Sequence, residues 1–115
     1  MAAVSVVNIV IQKGTDFEET FSLAAEDGLG LNLTNFSATA KLKKHPSSTT
    51  SYDFNTVITI VDSTIKIIMA DNVTSTLPSG RCYYDLIITS SGGVVSKVIQ
   101  GTALVEESVS VWQFK

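Results

Sequence analysis

The side chains that most often do chemistry are scarce in this chain. His45 is its one histidine and Cys82 its one cysteine. A serine nucleophile needs a base beside it. His45 stands before Pro46 at the head of a polar run ending at Ser51, which reads as a solvated loop. No G-x-S-x-G elbow occurs. One histidine and one cysteine cannot close a zinc site, and a lone cysteine forms no internal disulfide. Asp16, Glu18 and Glu19 cluster at one turn and Glu26-Asp27 at another, neither with the spacing of a calcium loop. These acids read as residues that keep strand edges soluble. Paired carboxylates for glycoside hydrolysis are compatible with the sequence, although 115 residues leave little surface for a sugar cleft beyond the core. Gly28-Leu29-Gly30 and Gly92-Gly93 fall at expected β turns, not ahead of a helix, so they build no phosphate loop. The expectation is a non-enzymatic chain with no catalytic residue, metal ligand or cofactor.

What remains are residues suited to contact. Asp85 lies between Tyr84 and Leu86 in an apolar strand. A charge there must face solvent or pair with a cation across the sheet, and Lys97 or Lys43 could supply one. Tyr52 and Tyr83 are expected to be exposed, and with His45 they are candidate loop contacts. The segment from Glu106 to Lys115 holds Val109 and Val111 on one side and then Trp112 and Phe114. Trp and Phe are enriched in interface cores, so these four form a candidate interface; the rival reading is a final edge strand. Cys82 alternates inward with Tyr84 and reads as a small core residue.

These side chains need a scaffold, and the dominant sequence period is two, the strand period. The expected strands are Val4–Gln12, Phe17–Ala24, Ser37–Lys44, Asp53–Val61, Thr64–Met69, Arg81–Thr89 and Val94 to about Val105. Phe17, Phe21 and Leu23 point inward on the second, Ala38, Ala40 and Leu42 on the third, and Cys82, Tyr84, Leu86 and Ile88 on the sixth. Lys13 to Asp16, Glu26-Asp27-Gly28, Asp62-Ser63 and Ser91-Gly92-Gly93 read as turns. Leu31, Leu33 and Phe36 are expected to plug one end of the core. Asp71 is expected to cap a short helical turn running to about Leu77. Seven short strands with regular turn signals predict an all-β, immunoglobulin-like β-sandwich. Residues 1–105 form the sandwich domain, and 106–115 form a C-terminal extension or last edge strand.

Bulk properties agree. The chain is 44% hydrophobic and 17% charged, which argues against disorder. Its formal charge of −3 lacks the basic footprint of a nucleic-acid binder. No apolar run reaches the roughly 18 residues of a membrane span. The first residues lack the basic region of a signal peptide.

Three stretches, read in order, carry a resemblance. Leu33-Thr34-Asn35-Phe36-Ser37-Ala38-Thr39-Ala40-Lys41-Leu42-Lys43-Lys44 resembles an "LTGYTA…A-x-I-R-K" segment. Leu77 to Leu86 is similar to "LPAGRYVYDV", and Gly92 to Val105 to "DGSVTRLLEGTVTV". With Gly14-Thr15-Asp16-Phe17, these occur in this order in small structural proteins of tailed bacteriophages, notably myovirus-like ones. Cys82 stands where a tyrosine is usual, Asn35-Phe36 replaces a Gly-Tyr turn, and Lys43 and Lys97 stand in for arginines. The resemblance covers most of the chain up to about Val105. It implies a virion component, made in the bacterial cytoplasm, with an immunoglobulin-like sandwich in a tail, baseplate or capsid-surface position. Its partners would be other virion proteins and copies of itself, with neither nucleic acid nor membrane. The rival expectation is a host- or carbohydrate-binding adhesin on the same particle, contacting a host surface ligand through His45–Tyr52 and Asp71–Gly80.

Overall fold

A computed structural model describes residues 4–24 and 30–107. The chain folds as an all-β sandwich. Its strands are β1 (Ser5–Val6), β2 (Ile9–Gln12), β3 (Phe17–Ser22), β4 (Ser37–Lys43), β5 (Tyr52–Thr59), β6 (Thr64–Met69), β7 (Gly80–Thr89) and β8 (Val95–Glu106). One short helix, α1 (Asp71–Thr74), precedes β7. The Glu26-Asp27-Gly28 turn lies outside the described residues, as do Val109, Val111, Trp112 and Phe114.

One curled sheet makes both layers. Its order is β1-β8-β7-β4-β5-β6-β3, with β2 also on β8. The fold-over happens inside β5. Tyr52 to Phe54 pair with β4, whereas Asn55 to Thr59 pair with β6. Where β5 leaves β4, the Thr56 hydroxyl donates to the Ala38 carbonyl at 3.2 Å, meeting an acceptor the ladder abandons. The larger layer holds β2, β1, β8, β7, β4 and the start of β5; the smaller holds the rest of β5, β6 and β3.

Period-two patterning supplies the core between them. Ile9 and Ile11, Ala40 and Leu42, Ile65, Ile67 and Met69, and Cys82, Tyr84, Leu86 and Ile88 are buried in alternation. Phe17, Phe54, Tyr84 and Phe21 form a chain of ring contacts across the layers, with centroids 5.9, 6.3 and 6.5 Å apart. Leu33 is buried, with Leu31 and Phe36 packed at the same core.

Four local expectations change. The first strand is not continuous: Val7 and Asn8 separate β1 from β2. The last strand contains a bulge, because Leu86 pairs with Ile99 but Ile87 pairs with Lys97. Val98 is the extra residue, so Val98 and Ile99 are both buried. The hairpin between β5 and β6 spans 60–63, wider than Asp62-Ser63 alone, with Ser63 in a left-handed conformation at φ 56°. Asp71 does not cap the helix. Ala70 occupies that place, and the Asp71 N–H is instead met by the Asp16 carboxylate at 2.9 Å. A second long-range tie fixes the same corner. Buried Thr74 accepts from the Gly14 N–H at 3.1 Å and donates to the Thr15 carbonyl at 2.8 Å.

Candidate functional site

The site is built on β7. Burial of Cys82, Tyr84, Leu86 and Ile88 leaves Tyr83, Asp85 and Ile87 on the outer surface of the larger layer. Register then assigns their neighbours. Tyr83 lies between Lys43 of β4 and Thr102 of β8. Asp85 lies between Lys41 and Gln100, and Val6 of β1 follows Gln100 in the same row. A groove of about 630 Å³ runs over these rows, with Pro46 at one end and Val6 at the other.

The bulge in β8 shapes the groove. It turns two consecutive residues inward, so Lys97 and Gln100, three apart, share the outer face. Lys97 Nζ therefore reaches Asp85 Oδ2 at 3.8 Å and donates to Gln100 Oε1 at 3.4 Å. A shorter ion pair extends the Asp85 row on its other side, Lys41 Nζ to Asp53 Oδ1 at 2.7 Å. Both pairs are solvent-accessible, so each stabilises the fold by only about 0.2–1 kcal/mol. Their effect is to fix where charge stands on a rigid sheet. Lys43 differs: it is half-buried beside Tyr83, with no acidic partner among the described residues.

Asp85, Lys97, Lys43 and Tyr83 thus gather in one groove. Lys43 stands in the Tyr83 row, and it is Lys41 that faces Asp85 in register. The other two loop candidates lie elsewhere. His45 is exposed in a closed turn, its N–H donating to Ser48 Oγ at 3.1 Å and its carbonyl accepting from the Ser48 N–H at 2.9 Å. Tyr52 is not exposed; it opens β5, and its half-buried ring packs on the core, because the strand begins one residue earlier than expected. It also lines a hollow of about 290 Å³ with Lys44, Ser48, Thr49, Thr50 and Pro78. Lys44 Nζ donates to the Ser79 carbonyl at 2.9 Å, tying the His45–Tyr52 loop to the segment before β7.

Ionisable groups in the core are held neutral. Burial raises the Cys82 thiol above its usual range, against the pull of the Lys44 ammonium. A thiol so placed is a poor nucleophile. Burial, and secondarily the Glu19 carboxylate, push Tyr84 up to about 12. Among the described residues no three His, Cys, Asp or Glu side chains gather as a metal site would need.

No family model matches the chain, and no curated protein matches its sequence. Solved structures do match. The chain is similar in fold to the SrpA adhesin of Streptococcus sanguinis. The match is to a mutant of that adhesin, with a TM-score of 0.52 and 11% identity, over 96% of this chain. It spans 59% of the adhesin structure's length. At that identity the likeness to SrpA is one of fold.

Sequence reasoning missed Lys41, Gln100, Thr102 and Val6 as groove residues. For Lys41 a signal was present. Counting outward from the loop between β4 and β5 pairs Leu42 with Tyr52 and so Lys41 with Asp53. For Val6 there was none, since nothing local announces that β1 lies parallel to β8.

Proposed function

We propose that this chain is a non-enzymatic structural module of a tailed-phage particle, in a tail, baseplate or capsid-surface position, working through protein–protein contacts. The observation that carries this reading is the groove on the larger layer. It presents Tyr83, Asp85, Lys97 and Lys43 from three adjacent strands, on a rigid sheet rather than on loops. A face that mixes an aromatic ring, fixed charges and small apolar residues suits a protein partner. The ordered likeness of Leu33–Lys44, Leu77–Leu86 and Gly92–Val105 to phage structural proteins supports the particle setting. Val109, Val111, Trp112 and Phe114 would add a second contact to a neighbouring subunit. Immunogold labelling of purified particles with an antibody to this chain is the test. Label fixed to one particle region is expected; label found only in the free-protein fraction would defeat the reading. Removal of residues 108–115 should weaken incorporation while leaving the circular dichroism of the β fold intact.

The second reading is a host- or carbohydrate-binding adhesin module. The fold likeness to SrpA favours it, as does the hollow between the His45–Tyr52 loop and Pro78. A glycan array with the purified chain separates the two. A signal removed by Thr49→Arg, which fills the hollow without touching the core, supports the adhesin; a blank array counts against it.

A further inference from the structure

The two outer faces of the sandwich carry complementary charges that cannot meet within one molecule. On the larger layer Lys41 and Lys43 are two residues apart on β4, so both leave the same side of the strand. On the smaller layer Asp16 and Glu18 have the same spacing at the head of β3, and both are exposed. Among the described residues β3 is an edge strand, bonded only to β6. Glu18, like Lys43, has no partner of opposite charge among the described residues. A weaker couple accompanies them: Asp85, already 3.8 Å from its own Lys97, stands in the groove, and Lys66 lies beside Thr20 on the outer face of β6. Apolar residues match as well. Val57 is 47% exposed on β5 near half-buried Ile68, and Val6 and Ile87 flank the groove.

We propose that a second copy of this chain docks the Glu18 edge of its β3 onto the Lys43 end of the β4 ridge. Glu18 and Lys43 are the unpaired charges among the described residues, while Lys41 is held by Asp53 and Asp16 meets the Asp71 N–H. The inference rests on the reading that this chain works by protein–protein contact and names one such partner. The two surfaces belong to opposite layers, so the contact is head-to-tail and propagates into a ring or a stack rather than closing as a two-fold dimer. Fixed charges at the contact make association salt-dependent, because screening shortens their reach to about 3 Å at 1 M ionic strength.

Sedimentation velocity on the purified full chain tests this. At about 0.02 M salt, species larger than the monomer are expected, reverting toward monomer at about 0.5 M. Lys43→Glu and Glu18→Lys should each weaken self-association by about ten-fold or more. The double variant, and an equimolar mixture of the two single variants, should recover it, since both restore opposite charges across the contact. Circular dichroism on every variant checks that the fold persists. A wild-type chain that stays monomeric at low salt overturns the inference, and so do single swaps without effect or a double variant that fails to recover. Each of those results leaves the particle-labelling test of the proposed function standing, so the two can fail separately.

Discussion

Strand β8 is paired on both sides, and the two sides hold it by different means. On one side β7 runs antiparallel to it, in register from Gly80–Val105 to Thr89–Val95 apart from the bulge. Ser91-Gly92-Gly93 joins them, closed by the Ser90 N–H donating to the Val94 carbonyl at 2.9 Å. On the other side β1 and β2, from the far end of the sequence, lie parallel to it. Ser5–Ile99 and Ile9–Ala103 keep one offset, but the ladder breaks between them once the Val7 N–H has donated to the Gln100 carbonyl at 2.9 Å. There the Val7 carbonyl turns in over Gly101 and accepts from the Tyr84 hydroxyl at 2.5 Å, while Asn8 Oδ1 accepts from the Thr102 N–H at 3.1 Å. The hairpin seam is local and mostly backbone, and it tolerates side-chain change. The parallel seam spans the whole chain and depends on three particular residues.

Gly101 should be the most sensitive of them. A Cβ built there would overlap the Val7 oxygen and stand 2.8 Å from its carbon. Both are backbone atoms, so no side chain can swing aside. Gly101→Ala should therefore push β1 and the break at Val7 off the sheet, costing about 3 kcal/mol in denaturant unfolding. A loss below about 1 kcal/mol would show that the seam yields freely.

Tyr84→Phe comes next. It keeps the ring contacts with Phe21 and Phe54 but leaves the part-buried Val7 carbonyl without its donor. The expected cost is about 1–2 kcal/mol. The same residue sets an alkaline limit. Its folded pKa of about 12 lies above the ordinary value of 10. The folded state thus favours the protonated phenol, and that stabilisation is complete below pH 10 and lost as pH rises through about 12. Denaturation midpoints across this window should fall more steeply for the wild type than for Tyr84→Phe. Parallel slopes would remove Tyr84 as the cause.

The same contrast explains what could be read from the sequence. Strict alternation in Arg81–Thr89 placed Cys82, Tyr84, Leu86 and Ile88 in the core and Asp85 outside, because an antiparallel hairpin strand with one wet face must alternate. Given the Ser91-Gly92-Gly93 turn, Lys97 then falls near Asp85. The bulge at Val98 was hidden, since an extra residue in an apolar run shows only against its partner strand. The break at Val7-Asn8 was hidden for a related reason: it answers to Gly101 and Tyr84, which are remote in sequence. Asp16 and Thr74 stayed out of view similarly, as one meets the Asp71 N–H and the other the turn after β2. Local chemistry reveals hairpins and faces, whereas polar ties over long sequence separations need the fold first.

On the hairpin seam the matching glycine is Gly93, held at φ 88° in the left-handed region. A Cβ there meets nothing within 4 Å, so the cost is confined to the backbone conformation. Gly93→Ala should lose about 1 kcal/mol, well short of the Gly101→Ala effect. Equal losses at the two glycines, measured by urea unfolding, would erase the distinction between the seams.

Asn8→Ala is the finest test of the parallel seam. The Asn8 side-chain Oδ1 stands in for a backbone acceptor at the break and holds the Thr102 N–H in line with the register on either side. That bond is exposed, so water can replace the lost acceptor, and the net loss should be about 0.5 kcal/mol. The informative readout is local rather than global. Hydrogen exchange at the Thr102 amide should speed up, while the Cys82 and Ile88 amides on the hairpin side of β8 keep their protection. Faster exchange at both places would mean that the two seams open together and that β8 is held as one unit.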